Sequence, residues 1–261
     1  MTSLSGRTVV VLHAHPDDES IFTGATIRRL TDVGVRVVLV TATCGELGGS
    51  RIPLAADETL AERRLVELEW AAERLGVARL VFLGRRDSGM PGTADNVHPG
   101  ALAAADADRL SRRVAQLALA ENAEALVYDD SRGIYGHPDH VAVHHIGSRA
   151  AAMVGITGYE STIDRDRLRA AGPHLVDAAA QATAVGYGLP AEQITLTVEA
   201  SSDELAAKRA AIAAHVSQVD PRVTASDRFE AAYRFEWFRR AGAVTVLDEA
   251  AAHPVLAGAL R

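Results

Sequence analysis

Apolar runs alternate with amphipathic segments along the first half of the chain. The apolar runs are short and rich in Val, Leu and Ile, as is typical of strands buried on both faces of a parallel sheet. They predict strands at residues 8–13, 35–43, 79–83 and 125–128. Between and after them apolar residues recur with the helical period, which predicts helices at residues 22–33, 58–75, 102–120 and 139–154. This alternation predicts an α/β fold: a Rossmann-like, doubly wound, mostly parallel sheet with helices on both faces.

The pattern is less regular after residue 155. It predicts strands at residues 159–163, 194–198 and 243–247, and helices at residues 203–215 and 229–240. The sequence contains neither an internal repeat nor a low-complexity linker. We therefore expect a single domain, residues 1–261, in which residues 1–155 form the core that carries the site and residues 156–261 form a C-terminal elaboration.

Composition narrows the class of protein. Of 261 residues, 48% are hydrophobic and 23% are charged, as in ordinary globular domains. The apolar runs are too short to cross a bilayer, so we expect no membrane insertion. The one cysteine, Cys44, excludes an intramolecular disulfide, and with no signal pattern at the N-terminus we expect a cytoplasmic protein. A net charge of −7 without a basic run argues against a nucleic-acid partner. A homo-oligomer is not excluded.

Histidines and carboxylates follow two of the predicted strands directly. One cluster occupies residues 13–19, after the first strand, and the other occupies residues 135–140, after the fourth. In a doubly wound sheet of order 3-2-1-4, strands one and four are neighbours at the switch point, where ligands bind beyond the carboxyl ends. We therefore expect the two clusters to form one site.

The residue types in these clusters indicate a catalytic metal. Catalytic zinc takes three protein ligands and keeps one position for water, and the clusters offer such a set: His15, Asp18 and His140. Asp17 is adjacent to a ligand without being needed as one, so it could act as general base toward a water molecule. His137 could stabilise an oxyanion, while Asp139 could hydrogen-bond the His137 ring and keep it protonated.

Other interpretations of these residues stay open. A His-Pro-Asp sequence is also a common turn in which Asp caps the following helix. His13 shares a strand face with His15, and His144 lies four residues after His140, which is the spacing of zinc ligands on a helix. We expect His13, His144 and His145 to lie in the core or on the surface.

Residues 15–19 (His-Pro-Asp-Asp-Glu) together with residues 137–140 (His-Pro-Asp-His) resemble the paired motifs of the PIG-L/LmbE family of zinc-dependent de-N-acetylases. The resemblance covers about residues 9–155. It implies the ligands and the base named above, with His137 as electrostatic or acid group and Asp139 as its partner. Tyr135 matches a tyrosine that can move over the oxyanion in some members.

Residues 43–46 and 64–67 are similar to further patterns of that family, and residues 86–90 resemble its mycothiol-pathway branch. The resemblance implies that Glu46, Arg64 and Asp87 bind substrate. From their positions after the second and third strands, we expect Arg64 and Asp87 at the rim of the crevice. The ordinary alternatives for the three residues are a tight turn, a helix ion pair with Glu67, and a loop turn. His215 with residues 217–218 fits a His-x-Ser-Gln ending in the family. The segment from Glu46 to Arg64 is shorter than in members that act on mycothiol precursors.

The sequence thus predicts a metal-dependent amidohydrolase that removes an acetyl or small acyl group from a small-molecule, N-acetylglucosamine-type amino-sugar conjugate. Its cofactor would be Zn²⁺, with Fe²⁺ as the alternative in vivo. One alternative function is a mycothiol S-conjugate-type amidase with a larger substrate. Another is a non-catalytic, nucleotide-binding Rossmann-like module. Two features argue against it: the sequence lacks a Gly-x-Gly-x-x-Gly motif, and acidic residues occupy positions 17–19, where a phosphate would lie.

Overall fold

Seven strands form one sheet in the computed structural model, which describes residues 4–167, 174–175 and 186–252. In chain order these are β1 to β7: Thr8–His13, Arg36–Thr43, Arg79–Arg85, Ala123–Asp129, Thr157–Thr162, Leu196–Glu199 and Phe235–Ala241. They lie side by side in the order β3-β2-β1-β4-β5-β7-β6. Strands β1 to β5 are parallel, whereas β7 is antiparallel to both β5 and β6. The expected 3-2-1-4 order and the mostly parallel sheet are confirmed.

Helices cover both faces of this sheet. The described α-helices, α1 to α10, are Asp18–Phe22, Gly24–Asp32, Leu60–Leu75, Ala107–Ala120, Gly133–Gly136, Pro138–Val154, Ser202–Ala214, Pro221–Thr224, Phe229–Tyr233 and Val246–Ala252. Short 3₁₀ turns lie at Ala94–Val97 and Ala191–Gln193. Alternate residues of β1 point to opposite faces: Val9 and Val11 join the core with α2, α3, α7 and α10, whereas Val10 and Leu12 join the core with α4 and α6.

Tyr128 on β4 sets the distance between α6 and the sheet. It is fully buried, and it lies against two glycines, Gly147 on α6 and Gly158 on β5. A Cβ atom at Gly147 would lie 2.4 Å from Tyr128 Cγ, and one at Gly158 would lie 2.4 Å from the Tyr128 hydroxyl. Side chains larger than glycine would therefore force α6 or β5 away from β4.

The structure corrects several predicted elements. The helix predicted at residues 22–33 is α2, but it begins at Gly24, because Thr23 (φ −135°) separates it from α1. Residues 102–106 are not helical, and Asp106 caps α4 instead.

The largest corrections lie near the C-terminus. The sequence pattern predicts a helix at residues 229–240, but only Phe229–Tyr233 is helical and Phe235–Ala241 forms β7. β7 carries aromatic residues that favour strands, and it pairs with β5 on one side and β6 on the other. This pairing outweighs the helical period of the segment. The strand predicted at residues 243–247 is also wrong, since helix α10 begins at Val246.

Candidate active site

The turn between β1 and α1 brings the first cluster to the switch point of the sheet. Asp17 lies in this turn with φ 105° and ψ −30°. Its carbonyl oxygen accepts the backbone N–H groups of Ser20 and Ile21 at 3.1 and 3.0 Å, which starts α1. Asp18 is therefore the first residue of α1, and its side chain turns back toward His15.

Three buried side chains converge beyond the carboxyl ends of β1 and β4. Asp18 Oδ2 lies 3.6 Å from His15 Nδ1 and 3.5 Å from His140 Nε2. Around a tetrahedral metal with bonds of about 2.0–2.1 Å, neighbouring ligand atoms are separated by about 3.3–3.4 Å. The two spacings that involve Asp18 are thus close to those of ligands that share a metal ion.

The far nitrogen of each histidine contacts a carboxylate. His15 Nε2 lies 3.1 Å from Asp139 Oδ2, and His140 Nδ1 lies 2.8 Å from Asp129 Oδ2. Such carboxylate partners are typical of metal-bound histidines, because they fix the tautomer and the ring orientation. Asp129, which the sequence analysis missed, also lies 2.9 Å from His13 Nδ1. His13 is therefore a hydrogen-bonded support of Asp129, in addition to packing in the core.

Among the described residues, two groups of three have ligand atoms that all lie within 4.8 Å of one another: His15 with His137 and His140, and His15 with Asp87 and Asp139. The first group replaces Asp18 by His137. Asp18 contacts both histidines and brings a negative charge. The two rings hold the pKa of the Asp18 carboxyl group below its usual range, although burial opposes this shift. The donor set His15, Asp18 and His140 therefore offers two imidazole nitrogens and a carboxylate to a divalent cation, and it stays our prediction.

Asp17 lies beside these ligands and is held by Arg64 from α3. One nitrogen of Arg64 donates to the carbonyl oxygen of Pro16 at 2.6 Å and lies 3.3 Å from Asp17 Oδ2. The other donates to the carbonyl oxygen of Gly45 at 2.8 Å. Burial raises the pKa of Asp17 to about 6, although the positive charge of Arg64 opposes the shift.

The expected bond between the Asp139 carboxylate and the His137 ring is wrong. The Asp139 carboxylate instead accepts hydrogen bonds from Ser88 and contacts His15, while the backbone N–H of Asp139 donates to His137 Nδ1 at 3.2 Å. Burial, together with the neighbouring rings of His15 and His140, lowers the pKa of His137 to about 3. His137 is thus neutral near pH 7, with its proton on Nε2.

The expected rim position of Arg64 and Asp87 is also wrong. Both are only 4% exposed. Asp87 Oδ1 lies 3.8 Å from His15 Nε2, and Glu46 supports Asp87 by accepting its backbone N–H at 3.1 Å. Position along the sequence did not reveal this burial, because it depends on the loops after β2 and β3 meeting over the site.

Two chambers of opposite character meet at this cluster. Their shared wall consists of Asp17, Asp18, Tyr135 and Gln218. The polar chamber, of about 190 Å³, is completed chiefly by His15, Arg64, Asp87 and His137. The apolar chamber, of about 170 Å³, is completed by Ile21, Phe22, Leu175 and Val219. The Tyr135 hydroxyl lies 3.4 Å from His140 Nε2.

The C-terminal region reaches this site through buried polar contacts that the sequence analysis did not assign. His215 Nε2 lies 2.8 Å from Glu19 Oε1. Ser217 donates to Glu67 through its backbone N–H at 2.9 Å and its hydroxyl at 2.7 Å, so Glu67 does not pair with Arg64. The similarity of residues 215–218 to a family ending was the one signal in the sequence for these contacts.

The other two histidines near the second cluster lie outside the ligand set. His144 Nδ1 lies 3.2 Å from the carbonyl oxygen of Asp129. His145 lines a separate cavity of about 300 Å³ with residues such as Leu102 and Val141. Another cavity, of about 620 Å³, is lined by residues of the C-terminal region, five alanines and six others that include the charged Arg209, and lies apart from this cluster.

Within the described ranges, no helix is both long and apolar enough to span a bilayer. The cytoplasmic location and any homo-oligomer stay predictions.

The fold and the buried ligand group define an α/β enzyme whose His/Asp cluster could hold a metal at the switch point of the sheet. Residues 10–151 match the model of the PIG-L family, described as GlcNAc-PI de-N-acetylase. The 1D-myo-inositol 2-acetamido-2-deoxy-alpha-D-glucopyranoside deacetylase of Salinispora arenicola is 34% identical over 242 residues, covering 84% of this chain and 78% of that protein. The chain belongs to the PIG-L family of de-N-acetylases, which are amide hydrolases. The non-catalytic module is thereby excluded.

Solved structures share the fold at low sequence identity. The N,N'-diacetylchitobiose deacetylase from Pyrococcus horikoshii has a TM-score of 0.58 and 19% identity, over 90% of this chain and 84% of that one. The 4-carboxy-2-hydroxymuconate hydratase from Pseudomonas putida has a TM-score of 0.60 and 17% identity, over 92% of this chain and 98% of that one. A deacetylase and a hydratase with one fold show that the reaction depends on site residues.

Proposed function

We propose that this chain removes the acetyl group from an N-acetylglucosamine-type conjugate, with Zn²⁺ held by His15, Asp18 and His140. The observation that carries the proposal is that buried group, in which carboxylates support both histidines at the meeting point of the two chambers. The name of the Salinispora relative, a deacetylase of an acetamido-glucopyranoside of inositol, supports the substrate class.

Each nearby side chain has a role in amide hydrolysis. Zn²⁺, when bound, supplies a Lewis acid that polarises a carbonyl group and makes water more acidic. Asp17, with a pKa of about 6, takes a proton from the attacking water. His137 donates its Nε2–H to the carbonyl oxygen as negative charge develops there, and the Tyr135 hydroxyl supplies a second donor.

The reaction balances without a further reactant. The water oxygen bonds to the carbonyl carbon, and the proton that it loses is held by Asp17. The C–N bond then breaks as Asp17 returns this proton to the nitrogen, releasing the free amino sugar and acetic acid, which ionises to acetate as it passes its proton to solvent or to the amine.

The two chambers orient the amide of the substrate. The sugar, which carries hydroxyl groups, suits the polar chamber, where the Asp87 carboxylate can accept their hydrogen bonds and Glu46 holds the Asp87 backbone. The acyl group suits the apolar chamber beside Phe22 and Val219. One water molecule needs about 10–15 Å³ of cavity, so this chamber of about 170 Å³ exceeds the needs of a methyl group.

Release of free amine tests the proposal. The metal-free protein is loaded with Zn²⁺ or with Fe²⁺ and incubated with N-acetylglucosaminyl-inositol, N-acetylglucosamine and an S-conjugate amide, with the Asp17→Asn variant as control. We expect metal-dependent release of equal amounts of amine and acetate from the N-acetyl sugars. Cleavage of the S-conjugate alone would instead support the amidase function, and equal rates with and without metal would refute the zinc site.

A further inference from the structure

The turn that presents Asp17 is strained. With φ 105°, Asp17 holds a backbone conformation that residues other than glycine rarely adopt. Such conformations persist only where surrounding contacts enforce them, and they concentrate at functional sites. Contacts around Asp17 must therefore hold its backbone in this conformation.

Glu19 holds the backbone of Asp17 from one side. Its Oε2 accepts the backbone N–H of Asp17 at 2.9 Å. Its Oε1 accepts the Ser20 hydroxyl at 2.5 Å and lies 2.8 Å from His215 Nε2. Glu19 and His215 are 1% and 0% exposed, so water does not compete with these bonds.

Arg64 holds the same peptide from the other side, through the carbonyl oxygen of Pro16. The peptide that joins Pro16 to Asp17 is therefore fixed at both its oxygen and its nitrogen. Neither Glu19 nor His215 is among the described residues that line the two chambers. Their side-chain contact reaches the site through Asp17 and the turn, while the carbonyl oxygen of His215 accepts the backbone N–H groups of Gln218 and Val219.

We infer that Glu19 and His215 are positioning residues that hold Asp17 in its strained conformation, so that its carboxylate faces the attacking water. This inference rests on the proposed role of Asp17 as general base. His215 belongs to the C-terminal region, at the end of α7, and it orients the Glu19 carboxylate. Without this support the Asp17 backbone would relax to negative φ and its carboxylate would turn away.

The Glu19→Ala variant tests the inference through kinetics and metal content. A misplacement of about 1 Å at a reacting group costs about 100-fold in rate. We expect kcat to fall by about that factor while KM and bound zinc stay near wild-type values. Glu19→Gln keeps an acceptor for the Asp17 N–H and should restore most of kcat.

A matched control separates positioning from general destabilisation. Glu236 is equally buried, pairs with Lys208, and accepts the backbone N–H groups of Ala25 and Thr26 at 2.8 and 2.7 Å, but at the start of α2. Glu236→Ala should lower thermal stability and leave kcat of the folded fraction unchanged. An equal loss of kcat in Glu236→Ala and Glu19→Ala would overturn the inference.

A double-mutant cycle gives the sharpest test. In the Asp17→Asn background the base is already absent, so Glu19→Ala should cause little further loss of kcat. A full 100-fold loss in that background would overturn the positioning role. If Glu19→Ala does not fold, Glu19→Asp retains the charge but shortens the side chain, and the same cycle applies. Should Asp17→Asn alone keep the wild-type rate, the proposed base would be wrong, and this outcome is distinct from failure of the cycle.

Discussion

The two halves of the chain serve the candidate site in different ways. Residues up to 155 present the ligand group and Asp17 at the ends of adjacent strands. The C-terminal region contributes one wall residue shared by both chambers, Gln218, and buried supports such as His215 and Ser217. The order of the parallel strands brings the candidate ligands to one edge of the sheet, whereas the strained turn at Asp17 is in contact with the separate C-terminal region.

The largest loss of activity should follow a substitution in the first half of the chain. His140→Ala removes one of three ligands, so bound zinc and activity should be lost together, as measured by elemental analysis and amine release. His145→Ala, on the same helix but lining a different cavity, is the control and should keep both. Full zinc occupancy in His140→Ala would show that His140 is not a ligand.

The next largest loss should come from the proposed base, and it distinguishes the role of Asp17 from that of the proposed ligands. Asp17→Asn should keep its zinc and lose about 10²–10⁴-fold in kcat, the usual contribution of a general base. Elemental analysis and steady-state kinetics on one preparation measure both quantities. A wild-type kcat would remove Asp17 from the mechanism and restrict the first half to metal binding.

A smaller effect tests the second half. Ser217→Ala removes a buried hydrogen bond to the Glu67 carboxylate, which should lower the free energy of unfolding by about 1.5–3 kcal/mol. Ser111→Ala is the control from the core, since its buried hydroxyl bonds a neutral carbonyl at 2.7 Å and should cost about 0.5–1.5 kcal/mol. Urea denaturation measures both. Equal losses would mean that the contact between the two halves has no special strength.

The smallest effect concerns the apolar chamber. Each methylene buried there should lower KM about 4-fold, from about 0.8 kcal/mol per CH₂. An N-butanoyl sugar should thus have a lower KM than the N-acetyl sugar, and Val219→Phe should abolish this preference by filling the chamber. Val97→Phe, at an exposed position away from the chambers, is the control. If KM does not respond to acyl length, the acyl group does not enter this chamber.

Much of the first half could be predicted from the sequence because its signals are local. The first strand, residues 8–13, matches β1. The convergence of His15 and His140 follows from strand order, since β1 and β4 are neighbours. Burial of Arg64 and Asp87 could not be predicted, because it arises where loops from different strands meet.

The second half lacks such local signals. Glu19 and His215 are 196 positions apart, and their contact exists only once α7 packs near α1. The periodicity of residues 229–240 favoured a helix, but pairing with β5 and β6 decided in favour of β7. Asp129 could have been suspected, since it ends β4, yet its contact with His140 depends on the placement of α6.

That placement depends on Tyr128. Helix α6 carries His140 and strand β4 carries Asp129, so the Tyr128 ring, packed against Gly147 and Gly158, sets how close His140 lies to the Asp129 carboxylate. In a library of random variants selected for activity, these two glycines should therefore tolerate substitution as poorly as the histidines do. Descendants of this sequence can exchange most surface residues freely, but we expect them to retain Tyr128, Gly147 and Gly158, which are not among the described residues that line the two chambers.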